Sequence, residues 1–178
     1  METVKYNFGT FAWRITAAHM ITYFIAGIIA YNLFNYEEAF QSGDLAVLMK
    51  PMDSPWVMAG SLLQVFRGLL FSLVLWPFKS VFLEGKWGWL KLWGLFVGLA
   101  ILGTTGPSPG SFEGIIYTNF HPVDQILGLH ETLFQTLIFS LMVFFWYQYP
   151  RKIWNILSVI LVTLLSLMII AGLITTYA

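Results

Sequence analysis

The chain has 178 residues, of which 58% are hydrophobic and only 10% charged, against about 25% charged in an ordinary soluble domain. Its nine basic and nine acidic residues cancel, so the charge footprint of a nucleic-acid or polyanion binder is missing, and the absence of cysteine removes disulfides, thiolate metal sites and a cysteine nucleophile. The composition predicts an all-α, polytopic integral membrane protein, one transmembrane domain over 1–178, whose first partner is the lipid bilayer.

Five spans are expected, at about 10–34, 54–78, 87–104, 126–149 and 153–177, each close to the ~20 apolar residues that cross a hydrocarbon core. The first resembles a signal peptide at its start, but its apolar run exceeds the usual h-region and no small-residue cleavage site follows, so it reads as a retained helix. His19 within it is expected to be hydrogen-bonded inside the bundle near Thr16 or Thr22, toward the cytoplasmic side. That depth argues against pairing with His130 across a haem. Arg14, near the boundary, is expected to snorkel to headgroups. The connection 35–53, "NYEEAFQSGDLAVLMKPMDSPW" with its flanks, leads to Pro55, which suits a first helical turn because its missing N–H costs nothing there.

The second span contains Arg67 among aliphatic and aromatic neighbours. A charge near the bilayer centre costs at least ~2.5 kcal/mol on insertion scales and demands a partner. Gln64 lies nearly one turn earlier, and Gly60 and Gly68 continue the stripe, leaving room for another helix. In the third span "GLFVG", Gly94 to Gly98, has the small-xxx-small spacing of closely packed membrane helices; packing within the bundle is expected, with a dimer interface as the alternative.

The connection 105–125 has no basic residue and is too long for a plain link. "GPSPGS" breaks a helix, whereas "SFEGIIYTNF" can form a short amphipathic helix with Ser111 as N-cap. Glu113 and Tyr117, four apart on that segment, would project toward the mouth of a site around Arg67, unless they are solvated loop residues. His121, Asp124, His130 and Glu131 are metal-ligand types, but their spacing matches no defined motif such as HExxH, so no metal is assigned.

In the fourth span "ILGLHETLFQTL" aligns Gly128, Glu131, Thr132 and Gln135 along one side. Counted from the outer surface, Gln64 and Gln135 come level and Glu131 lies one turn shallower, within reach of Arg67. A bidentate Arg67–Glu131 pair is the expected contact.

Orientation follows the basic residues. Lys79, Lys86 and Lys91 around the second connection and Arg151 and Lys152 in the fourth put both on the cytoplasmic side. The N-terminus with Lys5 is then cytoplasmic and the C-terminus extracytoplasmic, with Lys50 dissenting. Tryptophans near span ends fit interfacial belts. Serine-nucleophile, Walker and Rossmann motifs are missing.

Three functions follow. The leading expectation is a polar site of Gln64, Arg67, Glu131 and Gln135, with Glu113 and Tyr117 at its mouth, binding or transporting a small anionic or lipid-like ligand under the 105–125 loop. The second is a non-enzymatic subunit or assembly factor that packs against membrane partners or a second copy. The third is an intramembrane lipid-processing enzyme using Glu131, Glu113 or the histidines. No cofactor follows from the residues.

Overall fold

The computed structural model describes residues 7–34, 44–47, 50–51, 53–102 and 108–177. Lys5, most of the 35–53 connection and the start of the 105–125 loop lie outside them. Among the described residues the structure is all-helical: α1 (Phe8–Phe34), a turn of 3-10 helix (Asp44–Val47), α2 (Pro55–Met58), α3 (Gly60–Leu75), α4 (Lys79–Leu83), α5 (Gly88–Leu102), α6 (Phe112–Tyr117), α7 (Pro122–Gln148) and α8 (Lys152–Tyr177).

Three of these helices, α1, α7 and α8, are long and apolar enough to cross a membrane. The apolar helices α3 and α5 are shorter, at 16 and 15 residues, or about 24 and 22 Å at 1.5 Å per residue. Ala59 joins α2 to α3 in a near-helical conformation, and its carbonyl accepts from Leu63 N–H at 3.0 Å. Pro55 to Leu75 therefore run almost as one rod.

Proline punctuation sets the helix starts. α2 opens on Pro55. α7 opens on Pro122, four residues before the expected start at 126, because His121 caps it: its Nδ1 accepts from Val123 N–H at 3.4 Å, and a proline at the first helical position sacrifices no hydrogen bond. Ser111 caps α6 as its sequence predicts, its Oγ accepting from Gly114 N–H at 2.9 Å. Pro150 forces the break between α7 and α8.

Burial ranks the three long helices. The apolar stretch of α1 is 56% buried, that of α7 24% and that of α8 6%. α1 is central because Ala17, Ala18, Ala26 and Ala30 let neighbours approach its backbone, and it packs mainly on α3 and α7 while α5 packs on α7. Gly68 makes the α1–α3 approach tight: a Cβ there would lie 2.7 Å from Thr16 Cα. Gly60, expected on the same stripe, meets nothing within 4 Å.

Chain direction alternates. The α1 start meets the α3 end through Phe8 and Phe11 on Trp76, with ring centroids 5.5 and 5.2 Å apart. The α7 end meets the loop before α5, with Gln148 Nε2 donating to Leu83 O at 2.6 Å and Tyr147 Oη donating to Glu84 at 3.3 Å. At the opposite end the Tyr177 hydroxyl donates to Asp53 O. Lys79, Lys86, Lys91, Arg151 and Lys152 thus share one end of the bundle.

Two sequence expectations are corrected. Arg14 does not snorkel: it is buried, its Nε donating to Asn155 Oδ1 at 3.0 Å and its Nη1 to Trp146 O at 3.2 Å, with the guanidinium 5.5 Å over the Trp146 ring. Trp146 Nε1 shares the Asn155 acceptor at 3.2 Å, and Trp13 Nε1 donates to Ser158 Oγ at 3.1 Å. This clasp fastens α8 to α1 and α7. Second, Gly94 and Gly98 do not pack within the bundle. A Cβ on either meets nothing within 4 Å, so among the described residues this stripe faces away from the neighbouring helices.

Candidate functional site

A cavity of about 430 Å³ opens between α1, α3, α5 and α7, and its polar lining includes His19, Tyr23, Arg67, Glu131, Thr132 and Gln135. Phe71, Phe96 and Phe139 supply apolar wall. The volume lies in the range of small-molecule sites, ~300–1,000 Å³, where a mostly apolar surface carries a few convergent polar groups.

His19 is the polar floor. It is 1% exposed, and both ring nitrogens have glutamine partners: Nε2 with Gln64 Oε1 at 3.1 Å and Nδ1 with Gln135 Nε2 at 3.4 Å. An amide nitrogen only donates, so Nδ1 must accept, and Nε2 then carries the proton that it donates to Gln64. The ring is a neutral imidazole of defined tautomer. Phe71 and Phe139 meet it edge-on, with centroids at 4.9 and 5.7 Å. Neither Thr16 nor Thr22 is a partner of the ring: the Thr22 hydroxyl donates to the backbone, to Ala18 O at 2.8 Å and His19 O at 3.3 Å. The physical reason is depth. His19 is near the middle of a helix that begins at Phe8, level with the two glutamines rather than toward one end.

Of the residues named from sequence, Arg67, Glu131 and Gln135 line the cavity. Gln64 joins through His19. The Arg67 guanidinium extends along its own helix to lie 5.5 Å from the centroid of the Phe71 ring, a cation–π arrangement in which the ring face supports the charge. The bidentate Arg67–Glu131 contact is not among the contacts between described residues. Both instead lie within electrostatic reach of Tyr23. Glu113 and Tyr117 are not part of the lining: Tyr117 is 75% exposed, because α6 turns its Gly114 side inward. There a Cβ would lie 2.0 Å from Ser108 O.

The lip of the cavity is the turn Ser108, Pro109 and Gly110. Gly110 has φ +82, a left-handed conformation that favours glycine. Gln125 holds this turn from α7: its Oε1 accepts from Gly110 N–H at 2.7 Å and its Nε2 donates to Gly114 O at 3.0 Å. Gly128 lets the turn touch the α7 backbone, since a Cβ there would lie 2.7 Å from Pro109 O. From Ser108 onward the loop is a braced wall of the cavity rather than a detached cover.

The metal-ligand residue types near Glu131 stay apart. His121 is occupied as a helix cap, and His130 Nδ1 contacts Ile126 O at 2.9 Å on an exposed face. Among the described residues no group of three or more His, Asp or Glu gathers at metal-binding range. His19, Tyr23 and Thr136 are polar cavity residues that the sequence did not single out for the site; for the first two the signal was a histidine and a tyrosine one turn apart on α1. Comparison of the chain with protein-family models, curated proteins and solved structures gives no match in any of the three.

Proposed function

We propose that the chain is a five-span integral membrane protein, N-terminus cytoplasmic and C-terminus extracytoplasmic, whose cavity binds or transports a small anionic or lipid-like ligand. The alternating helix directions and the gathering of Lys79, Lys86, Lys91, Arg151 and Lys152 at one end support this orientation, since basic residues are retained on the cytoplasmic side. The cavity then opens in the other half of the bundle.

One observation carries the ligand reading: a permanently charged guanidinium from α3 lines the cavity together with hydrogen-bonding groups from α1 and α7. Arginine offers a planar fork of donors suited to carboxylate or phosphate. Tyr23 and Gln135 add neutral donors, and the phenylalanine wall accommodates an apolar tail. The test uses the purified full chain with inorganic phosphate, acetate and dihexanoyl phosphatidic acid as probes. A ligand at 100 times its Kd stabilises by about 2.7 kcal/mol, so at least one probe raises the melting temperature, and Arg67→Gln removes the rise. A shift that persists unchanged in a folded Arg67→Gln variant sinks this reading.

A second reading, a subunit that packs against another membrane chain, draws on the outward-facing Gly94 and Gly98. Small residues at this spacing let a foreign helix approach closely. Cross-linking of native membranes separates the two: loss of a cross-linked species in Gly94→Leu favours the subunit, and its absence from the wild type counts against it.

A further inference from the structure

A second opening lies at the basic end of the bundle. α7 and α8 are joined only by Tyr149, Pro150 and Arg151, yet each packs on α1 more than on the other. The wedge between them holds a groove of about 660 Å³, with Phe145 and Tyr149 on one side, Trp154, Leu157 and Leu161 on the other, and Arg151 lining it from the turn. Arg151 and Lys152 are both exposed. Trp146 and Ser158 of the Arg14 clasp are part of the groove lining.

We infer that this groove is a binding site for an anionic membrane phospholipid, one acyl chain lying between α7 and α8 and the headgroup on Arg151 and Lys152. Two features choose this occupant. The walls are apolar and aromatic for the two helical turns from Trp154 to Leu161, and cationic only where the chain turns back. That is the order of parts in an acidic lipid. Lys79, Lys86 and Lys91 at the same end reinforce the positive field, against Glu84, whose carboxylate accepts from Tyr147.

This inference rests on the membrane reading but not on the cavity around Arg67. Trp154, exposed on the groove wall, is the reporter. The full chain is reconstituted in phosphatidylcholine vesicles containing a 10% fraction of either brominated phosphatidylglycerol or brominated phosphatidylcholine, a composition chosen for the test. Quenching of the Trp154 share, obtained by difference from Trp154→Phe, is then compared. Brominated phosphatidylglycerol quenches more strongly, and removing either charge by Arg151→Gln or Lys152→Gln lowers the preference about fivefold. Leu157→Phe, which fills the groove and keeps both charges, reduces quenching by either lipid, while Arg67→Gln leaves the preference intact. Equal quenching by the two lipids overturns the inference, as does a preference that survives loss of both charges. Absence of Trp154 quenching by either lipid overturns it too, because the groove is then covered by protein, including a second copy of the chain.

Discussion

Gly68 of α3 and Thr16 of α1 meet so closely that a single added methyl would stand 2.7 Å from the Thr16 Cα. Three residues beyond Thr16 is His19, and four residues before Gly68 is Gln64, so this contact sets the separation of the His19–Gln64 pair. In helices that pack without a hydrophobic driving force between them, close backbone approach is itself the stabilising interaction.

Gly68→Ala should therefore push α1 from α3 and destabilise the fold by about 1–3 kcal/mol, the cost of overpacking a tight contact. Gly60→Ala, on the same stripe with open space around it, should be neutral or slightly stabilising because alanine favours the helix. Denaturant unfolding in a defined detergent compares the two. Equal destabilisation by both would show that helix propensity, not the crossing, governs this stripe.

The His19 node predicts non-additivity. Gln64→Leu and Gln135→Leu each strip one ring nitrogen of its partner, and an unsatisfied buried group costs about 1–3 kcal/mol. His19→Leu strips both glutamines at once, so adding Gln64→Leu to it should cost less than it does alone. A double-mutant cycle should give a coupling of roughly 0.6–1.7 kcal/mol, the range for hydrogen bonds between membrane helices. A coupling of zero would mean the amides find equivalent partners elsewhere.

Arg14→Lys preserves charge yet loses the fixed Nε donor to Asn155 and the flat face over Trp146. It should loosen α8 and lower stability by about 1–3 kcal/mol, and Asn155→Leu should do the same through the shared acceptor. Limited proteolysis near the 149–151 connection reports the release of α8. Wild-type resistance in both variants would remove the clasp from the account.

Because the chain has no cysteine, single-cysteine variants map its sidedness directly. Cysteines at Lys86 and Arg151 should react with a membrane-impermeant maleimide only from the cytoplasmic face, and those at Thr118 and Tyr177 only from the other. Labelling of Arg151→Cys and Tyr177→Cys from the same face would exclude a crossing by α8.

Hydropathy and punctuation made much of the helix layout legible in advance. The long apolar runs became α1, α7 and α8, and Pro55 and Ser111 began helices as their chemistry requires. Pro122 carried the same signal and marks the true start of α7. The Arg67, Glu131 and Gln135 face could be read from helical spacing because periodicity shows which residues share a side. The contacts of His19 and Arg14 could not, since the Gln135 and Asn155 partners lie 116 and 141 positions away. Nor could the outward position of Tyr117, since the spacing in α6 left open which side docks. Gly114 against Ser108 decides that.

The attachment of α8 has a mechanical consequence. It is fastened at one end by the clasp of Arg14, Asn155, Trp146 and Ser158 and meets Asp53 through Tyr177 at the other, with most of its apolar length turned outward. It is a beam supported near its ends, and whatever surrounds its midsection bears the load between them. At 26 residues it extends about 39 Å at helical rise, longer than a ~30 Å hydrocarbon core. If α8 crosses the bilayer as proposed, tilting about the clasp is one way for such a beam to fit a thinner membrane, and that tilt would change the angle of the wedge it forms with α7.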